Sequence, residues 1–345
     1  MALINNKKEF VKSVGLIVEA DRGMINDLFP MVNYQSKEEI VYDSATVEGV
    51  SPEYSSFAQT ANVVSKDGKD RVTLKPVNFN NAISKETIDA DAEQFGQNEY
   101  GDGEIDTVMQ SALTGVGKLH LNKLVGEKKI AYEAICTHKI VGGHIGANGA
   151  EDIVFNVPAG NKEVFDGTTL KYWSDTTNAR PLDDMLRAYR AMKIKPTRVI
   201  MNDTMYSYFY DNATVFTSDN TSSGIKKNFT VNENVAEGAK YFRAGRVNYK
   251  GMIIDVYVET EQRWTGSAYT PFMADGYVVY ASPLGELNYG GIPVAEAGGV
   301  RRMTADFDVQ EIITQNPPQH LVMYRSAPLP TLKNGEAYFS QYVIA

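Results

Sequence analysis

The residue types best suited to chemistry in this sequence are four histidines, a single cysteine and one pair of adjacent aspartates. His138 and His144 are close in sequence, but a helical zinc pair needs an i, i+4 spacing, so the pattern favours loop histidines over a metal site. Cys136 lies on an apolar helical stripe, where a thiol usually serves as a small buried apolar residue. None of these patterns indicates a metal centre or a nucleophile.

Asp183 and Asp184 have the form of a paired-carboxylate site. They follow Pro181 at a predicted helix start, however, where acidic residues stabilise the helix dipole. The Gly-rich run 142–146 is not followed by Gly-Lys-Ser/Thr, so it predicts a flexible joint and not a phosphate-binding loop. The sequence also lacks a Gly-x-Ser-x-Gly nucleophile motif. We therefore expect no catalytic residue, no cofactor, no metal and no enzymatic activity.

The overall charge limits the function classes further. The chain has 345 residues with 43 acidic and 34 basic side chains, a net charge of −9. Proteins that grip nucleic acid tightly carry the opposite excess, because neutralising phosphates supplies most of their affinity. One cysteine allows no intrachain disulfide, which fits a reducing compartment. Residues 1–14 lack the apolar run of a signal peptide, and no stretch reaches the ~18 apolar residues of a membrane span, so we expect a soluble intracellular protein.

The first third of the chain predicts a short helix that ends before Pro30, then two extended arms over residues 39–79. Val72 and Leu74 alternate with polar neighbours, and a polar connection, residues 51–68, joins the two arms. A long hairpin with so little apolar content is not stable alone, so it needs a surface to lie on.

A long helix is predicted next, over about residues 102–140, because apolar residues recur there at a spacing of three and four. At ~1.5 Å per residue this helix would span ~55 Å, far longer than an average globular helix. Gly115, Gly117 and Gly126 predict a bend or a break.

The rest of the chain alternates between helical and extended patterns, which indicates a mixed α/β lobe. The predicted elements are a helix 181–192, a strand 198–201, a short helix from residue 203, and strands at 252–258, 277–280, 321–325 and 337–344. Residues 218–239 form a polar stretch with little pattern.

Several short segments, in this order, carry a resemblance to a known family. They are Ala134–Ile140, where His138 replaces an expected glycine; Tyr172–Asp175 leading to Pro181–Met185; Arg198–Met201 followed by Tyr206 and Phe209; Tyr249–Met252 with Asp255 and Val256; and Ser326–Pro330. Together with the order of arm, hairpin, long helix and mixed lobes, they resemble the lambda-type major capsid protein E family of tailed phages. The resemblance covers, with gaps, most of the chain.

The resemblance implies an α+β protein with the tailed-phage major capsid (Johnson) fold. It divides the chain into an N-terminal arm (1–38), an extended hairpin loop (39–80), a peripheral domain that includes the spine helix (81–180), a mainly axial domain (181–285), and a return to the axial and peripheral sheet (286–345). Residues 218–239 would then lie near a local symmetry axis.

The implied function is self-assembly into hexamers and pentamers of an icosahedral head that encloses double-stranded DNA. Implied partners are other copies of the chain, a portal, a possible decoration protein and weakly held DNA, with assembly in the host cytoplasm and no membrane. Candidate subunit contacts in the extended loop are Tyr54, Phe57, Val63, Arg71, Thr73 and Lys75. Candidate genome-facing residues are Lys118, Lys123, Lys128 and Lys129, for which the alternative is the solvated side of an amphipathic helix.

Two other functions stay open at this stage. A tube-forming or portal-associated phage protein would also have extended arms, although not this order of segments. A hydrolase on a mixed α/β fold is disfavoured because nucleophile and metal motifs are missing. The roughly forty residues ahead of the hairpin leave no room for a large fused scaffolding domain, so we expect a separate scaffolding protein.

Overall fold

The computed structural model of the protein describes residues 22–45, 69–76, 79–84, 103–146, 149–216, 228–232, 234–236, 238–296, 299–315 and 318–345. The helices are α1 (Met24–Leu28), α2 (Gly103–Thr137), α3 (Pro181–Ala191), α4 (Asp203–Asp211) and α5 (Ala213–Phe216). The strands are β1 (Met31–Tyr34), β2 (Ile40–Ala45), β3 (Lys69–Leu74), β4 (Phe79–Ser84), β5 (Lys139–Gly146), β6 (Gly149–Val154), β7 (Lys162–Val164), β8 (Arg198–Asn202), β9 (Phe229–Val231), β10 (Tyr241–Tyr249), β11 (Met252–Glu259), β12 (Gln262–Trp264), β13 (Tyr269–Pro271), β14 (Tyr277–Ala281), β15 (Glu286–Tyr289), β16 (Ile292–Glu296), β17 (Gly299–Met303), β18 (Asp308–Gln315), β19 (Pro318–Ser326), β20 (Pro328–Thr331) and β21 (Tyr338–Tyr342).

A seven-stranded mixed sheet, in the order β7-β21-β14-β8-β11-β10-β9, organises the second half of the chain. Its central strands are apolar on both faces, because each face is covered by a separate core. In β8, for example, Val199 and Met201 pack into one core and Ile200 into the other. The β–α alternation of the sequence is confirmed here by α3, β8 and α4.

The two cores bury different parts of the chain. The first joins α1, the C-terminal half of α2 and one face of the large sheet, with Phe29, Tyr132 and Tyr338 among its large side chains. The second lies on the opposite face under α3 and α4, around Trp173 and Phe209. The C-terminal half of the long helix is therefore packed against the sheet.

Helix α2 is continuous over its 35 residues, so of the predicted bend or break, the break does not occur. Gly126 has a packing role, since a Cβ there would lie 2.9 Å from Cε2 of Phe79 on β4. The missing side chain lets this strand approach the helix. The helix is followed by His138, whose φ of 57° is the left-handed conformation that usually selects glycine just after a helix. This is the position at which the resemblance expects glycine.

The predicted hairpin has its two arms as an antiparallel pair, β2 and β3, with Ile40 opposite Leu74 and Ala45 opposite Lys69. The connection between these strands lies outside the described residues. Strand β4 pairs with β19 and not with the hairpin. The Gly-rich run predicted as a flexible joint is instead part of the β5–β6 hairpin, where Gly142 adopts a φ of 61° at a register shift.

The polar stretch 218–239 is only partly described, and it contributes β9 to the large sheet. Four smaller sheets complete the described fold, with the strand orders β1-β15-β20, β12-β13, β16-β17 and β18-β19-β4. Through the first of these, a segment near residue 30 is joined in parallel to residues 286–289.

Candidate functional site

The base of the β2–β3 hairpin is fixed to its own subunit by polar contacts. Lys75 Nζ lies 2.9 Å from Glu38 Oε1, and Arg302 Nη2 donates to Glu38 Oε2 at 2.8 Å. The hydrogen bond from Lys75, with the Arg302 charge, lowers the pKa of Glu38. The Lys75 N–H donates to His144 Nδ1 at 2.9 Å, and the Ile145 N–H donates to the Lys75 carbonyl at 2.8 Å. The hairpin is thus held at one end by β5 and β17.

The candidate contact residues of the extended loop separate into two groups. Tyr54, Phe57 and Val63 lie outside the described residues. Arg71 and Thr73 are exposed on β3, and Arg71 Nε lies 3.8 Å from Asp43 Oδ1 across the hairpin. Lys75 is half-buried and belongs to the anchored base. Arg71 and Thr73 are therefore the candidates among the described residues that remain open to another chain.

The candidate lysines of α2 do not share one surface. Lys123 is buried: its Nζ lies 2.8 Å from Asp306 Oδ2 and 3.5 Å from Glu127 Oε1. Lys128 is also buried and pairs with Glu261 Oε2. The structure thereby corrects the expectation for these two, which are neither genome-facing nor on a solvated face. Lys129 is exposed, and the side chain of Lys118 lies outside the described part of the helix.

Sequence reasoning missed the ionic cluster around Lys123. Glu127 is buried and accepts a hydrogen bond from the Tyr289 hydroxyl at 2.8 Å, and Arg22 Nε lies 3.9 Å from its other oxygen. Arg22 also donates to the Tyr289 hydroxyl. The only sequence signal was the i, i+4 spacing of Lys123 and Glu127, which is equally common on exposed helices. The cluster ties the segment before α1 to the long helix.

A second buried carboxylate joins α2 to the large sheet. Glu259 accepts hydrogen bonds from the Tyr132 hydroxyl and from the Glu261 N–H, the latter at 2.8 Å. Burial raises the pKa of Glu259 to about 7 in spite of both donors. Its charge state therefore changes near neutral pH.

The paired aspartates have separate structural roles. Asp184 is buried and accepts from Trp173 Nε1 at 3.1 Å and from Arg187 Nη1 at 3.0 Å. Burial raises the pKa of Asp184 to about 6. Asp183 accepts from the Tyr249 hydroxyl at 2.8 Å. The two carboxylates thus tether the start of α3 to the Trp173 loop and to β10, in addition to any effect on the helix dipole.

Three of the other candidates for chemistry, His120, His138 and Cys136, are packed into the interior. His120 is buried with its ring centroid 4.7 Å from that of Phe307, and burial lowers its pKa. Burial likewise lowers the pKa of His138 to about 4 and raises the pKa of the Cys136 thiol. Among the described residues no cluster of three or more His, Cys, Asp or Glu side chains could hold a metal ion. Within the same residues, no helix is both long and apolar enough to cross a bilayer.

The family model of the phage major capsid protein E matches residues 51–341, most of the chain. The chain belongs to this family. It is therefore a phage capsid protein, a structural subunit of the virion that associates with copies of itself. The match confirms the family indicated by the sequence and does not favour a tube-forming protein, a portal-associated protein or a hydrolase.

Solved structures are similar to this chain at low sequence identity. A capsid protein of a prophage of E. coli CFT073 is 16% identical, with a TM-score of 0.67 over 99% of this chain and 98% of the other. The capsid of a native GTA particle is 10% identical, with a TM-score of 0.46 over 93% and 90% of the two chains. Mycobacterium phage Patience gives 10% identity and a TM-score of 0.46 over 98% and 87%. No curated protein sequence matches the chain. The protein has the α+β tailed-phage major capsid fold.

Proposed function

We propose that this capsid protein forms hexamers and pentamers of an icosahedral head around double-stranded DNA, with residues 39–80 extended across a neighbouring copy. The observation that carries this proposal is the one-sided anchoring of the hairpin. Glu38 and Lys75 fix its base to the subunit's own strands, while Arg71 and Thr73 on β3 stay exposed. A hairpin of this composition gains stability only by lying on another surface.

Deleting residues 51–68 tests this role. The base of the hairpin lies outside the deletion, so we expect a folded subunit that no longer forms closed shells in electron micrographs. A variant with the same segment replaced by a Gly/Ser linker of equal length controls for chain connectivity. Closed shells from either variant would refute the role of the hairpin.

The division into arm (1–38), extended loop (39–80), peripheral domain (81–180), mainly axial domain (181–285) and returning segment (286–345) is part of the same proposal. It places residues 218–239 near the axis of each hexamer or pentamer. A reconstruction of the shell with this stretch at the outer edge of the capsomer would refute that placement.

The further partners we propose are a separate scaffolding protein and a portal, with assembly in the host cytoplasm and no catalytic role. Contact with packaged DNA should be weak and non-specific, because the chain carries a net charge of −9. With Lys123 and Lys128 neutralised inside the protein, Lys118 and Lys129 remain the candidates on α2 for such contact. Phosphate contacts weaken steeply with salt. Tight DNA binding by free subunits at moderate ionic strength would contradict this.

A further inference from the structure

The two-stranded ribbon β12–β13 leaves the large sheet after β11 and carries two exposed aromatic side chains. Trp264 and Tyr269 are directly opposite each other in its register, with ring centroids 5.1 Å apart. Their side chains are 55% and 68% exposed, among the largest apolar exposures of the described residues. Large rigid aromatic residues of this kind dominate the energetics of protein interfaces.

A groove of about 360 Å³ lies beside this ribbon, between β12, the C-terminal part of α2 and the start of β14. Its apolar walls include Val141, Phe272 and Tyr277. Its charged lining residues are Lys129, Glu133 and Arg263. Two cations thus meet one acid in a partly apolar recess.

Arg263 is the residue in this groove whose hydrogen-bonding groups need an acceptor. It is half-buried, and within the described part of the chain its guanidinium has no hydrogen-bond acceptor and no salt bridge; its Nε is fully covered. The acid of the lining, Glu133, instead accepts from the Val141 N–H at 2.9 Å. Thr270, opposite Arg263 in the ribbon, also has its buried hydroxyl without a partner among the described residues. Buried donors left in this state cost stability unless something supplies acceptors.

We propose that a second copy of this chain docks on the β12–β13 ribbon, placing an Asp or Glu carboxylate on Arg263 and covering the Trp264–Tyr269 pair. The inference rests on the shell-building function proposed above. Charge complementarity supports the choice of occupant, because the chain carries 43 acidic against 34 basic side chains and the family assembles from copies of itself. An arginine fork matches a carboxylate in two parallel hydrogen bonds, which fixes the orientation of the incoming copy.

The first test compares Arg263→Gln with Arg190→Gln, an exposed arginine on α3 that lies away from the groove. Shell formation is followed by light scattering and electron microscopy across subunit concentration. Arg263 has no partner among the described residues of the subunit, so its loss should not lower the urea midpoint of the free subunit. We expect Arg263→Gln to raise the subunit concentration needed for assembly at least tenfold, and Arg190→Gln to change it less than threefold.

The second test locates the carboxylate. In shells of Arg263→Lys, a zero-length carbodiimide reagent should couple position 263 to an Asp or Glu of another copy, identified by mass spectrometry of mixed isotope-labelled subunits. Trp264 supplies an independent readout, because the other tryptophan, Trp173, is already buried in the subunit. Acrylamide should quench Trp264 in free subunits and not in shells.

The outcomes separate the two proposals. Failure of the unmodified chain to form shells would refute the proposed function itself. Shells that form normally from Arg263→Gln, couple position 263 only within one copy, or leave Trp264 open to acrylamide would overturn the docking inference alone.

Discussion

Replacing Lys123 by methionine removes the centre of the buried ionic cluster and keeps the length of the side chain. The Lys123 side chain is 5% exposed, and its ammonium lies 2.8 Å from Asp306 and 3.5 Å from Glu127. Removing one member of a buried ion pair costs about 3–5 kcal/mol, because the remaining charge is left uncompensated. Arg22 and the Tyr289 hydroxyl still contact Glu127, so we expect the lower end, about 3 kcal/mol.

Urea unfolding of the free subunit at neutral pH measures this loss as a lower midpoint with an unchanged slope. Lys129→Met is the matched control: the same substitution at an exposed position of the same helix should change stability by less than about 0.5 kcal/mol. Weak DNA binding by folded subunits should respond the other way, falling for Lys129→Met and not for Lys123→Met. Equal losses of stability in the two variants, or none in Lys123→Met, would refute the structural role of Lys123.

Two further predictions concern a buried carboxyl and a buried glycine. The pKa of Glu259 is raised from 4.5 to about 7, so the stability that depends on its protonated form is present below pH 4.5 and lost as pH rises through 7. The unfolding free energy of Glu259→Gln, relative to that of the unmodified protein, should therefore rise by up to about 3 kcal/mol between pH 5 and pH 8 in urea unfolding. A difference that does not change with pH would contradict this. Gly335→Ala would place a Cβ 1.9 Å from the Asn156 carbonyl oxygen and should lower stability by about 1–3 kcal/mol, whereas Gly160→Ala, with nothing within 4 Å, should be near neutral in thermal melting.

Much of the fold could be predicted because its elements carry local signals. The stripe of apolar residues predicted α2 to within three residues at either end, and Pro181 marked the first residue of α3. The glycines wrongly predicted a break in α2, because helix propensity takes no account of packing. Phe79 approaches Gly126 although the two residues are far apart in sequence. Residues 142–146 were likewise predicted to be a flexible joint from their glycine content, although they belong to strand β5, which pairs with β6.

The candidate site was less predictable, since burial of a charge depends on long-range partners. Lys123 and Lys129 have the same side chain on the same helix, yet Lys123 is buried beside Asp306 and Lys129 is exposed. The sequence alone does not show that Asp306 lies near this helix. Arg263, whose guanidinium has no acceptor among the described residues, had no sequence signal at all. Such an absence depends on the positions of all the residues packed around it, which the sequence alone does not give.

The strand order of the large sheet also has a consequence for synthesis on the ribosome. Strand β21, residues 338–342, lies between β7 and β14, so these two strands cannot be joined until it has emerged. Strand pairings between residues so far apart in sequence form slowly, because the entropy of loop closure is lost before the stabilising contacts form. The subunit therefore completes its fold only after translation of residues 338–342. Until then nascent chains expose the strand edges of β7 and β14, which makes this interval the one in which a chaperone would protect them from premature association.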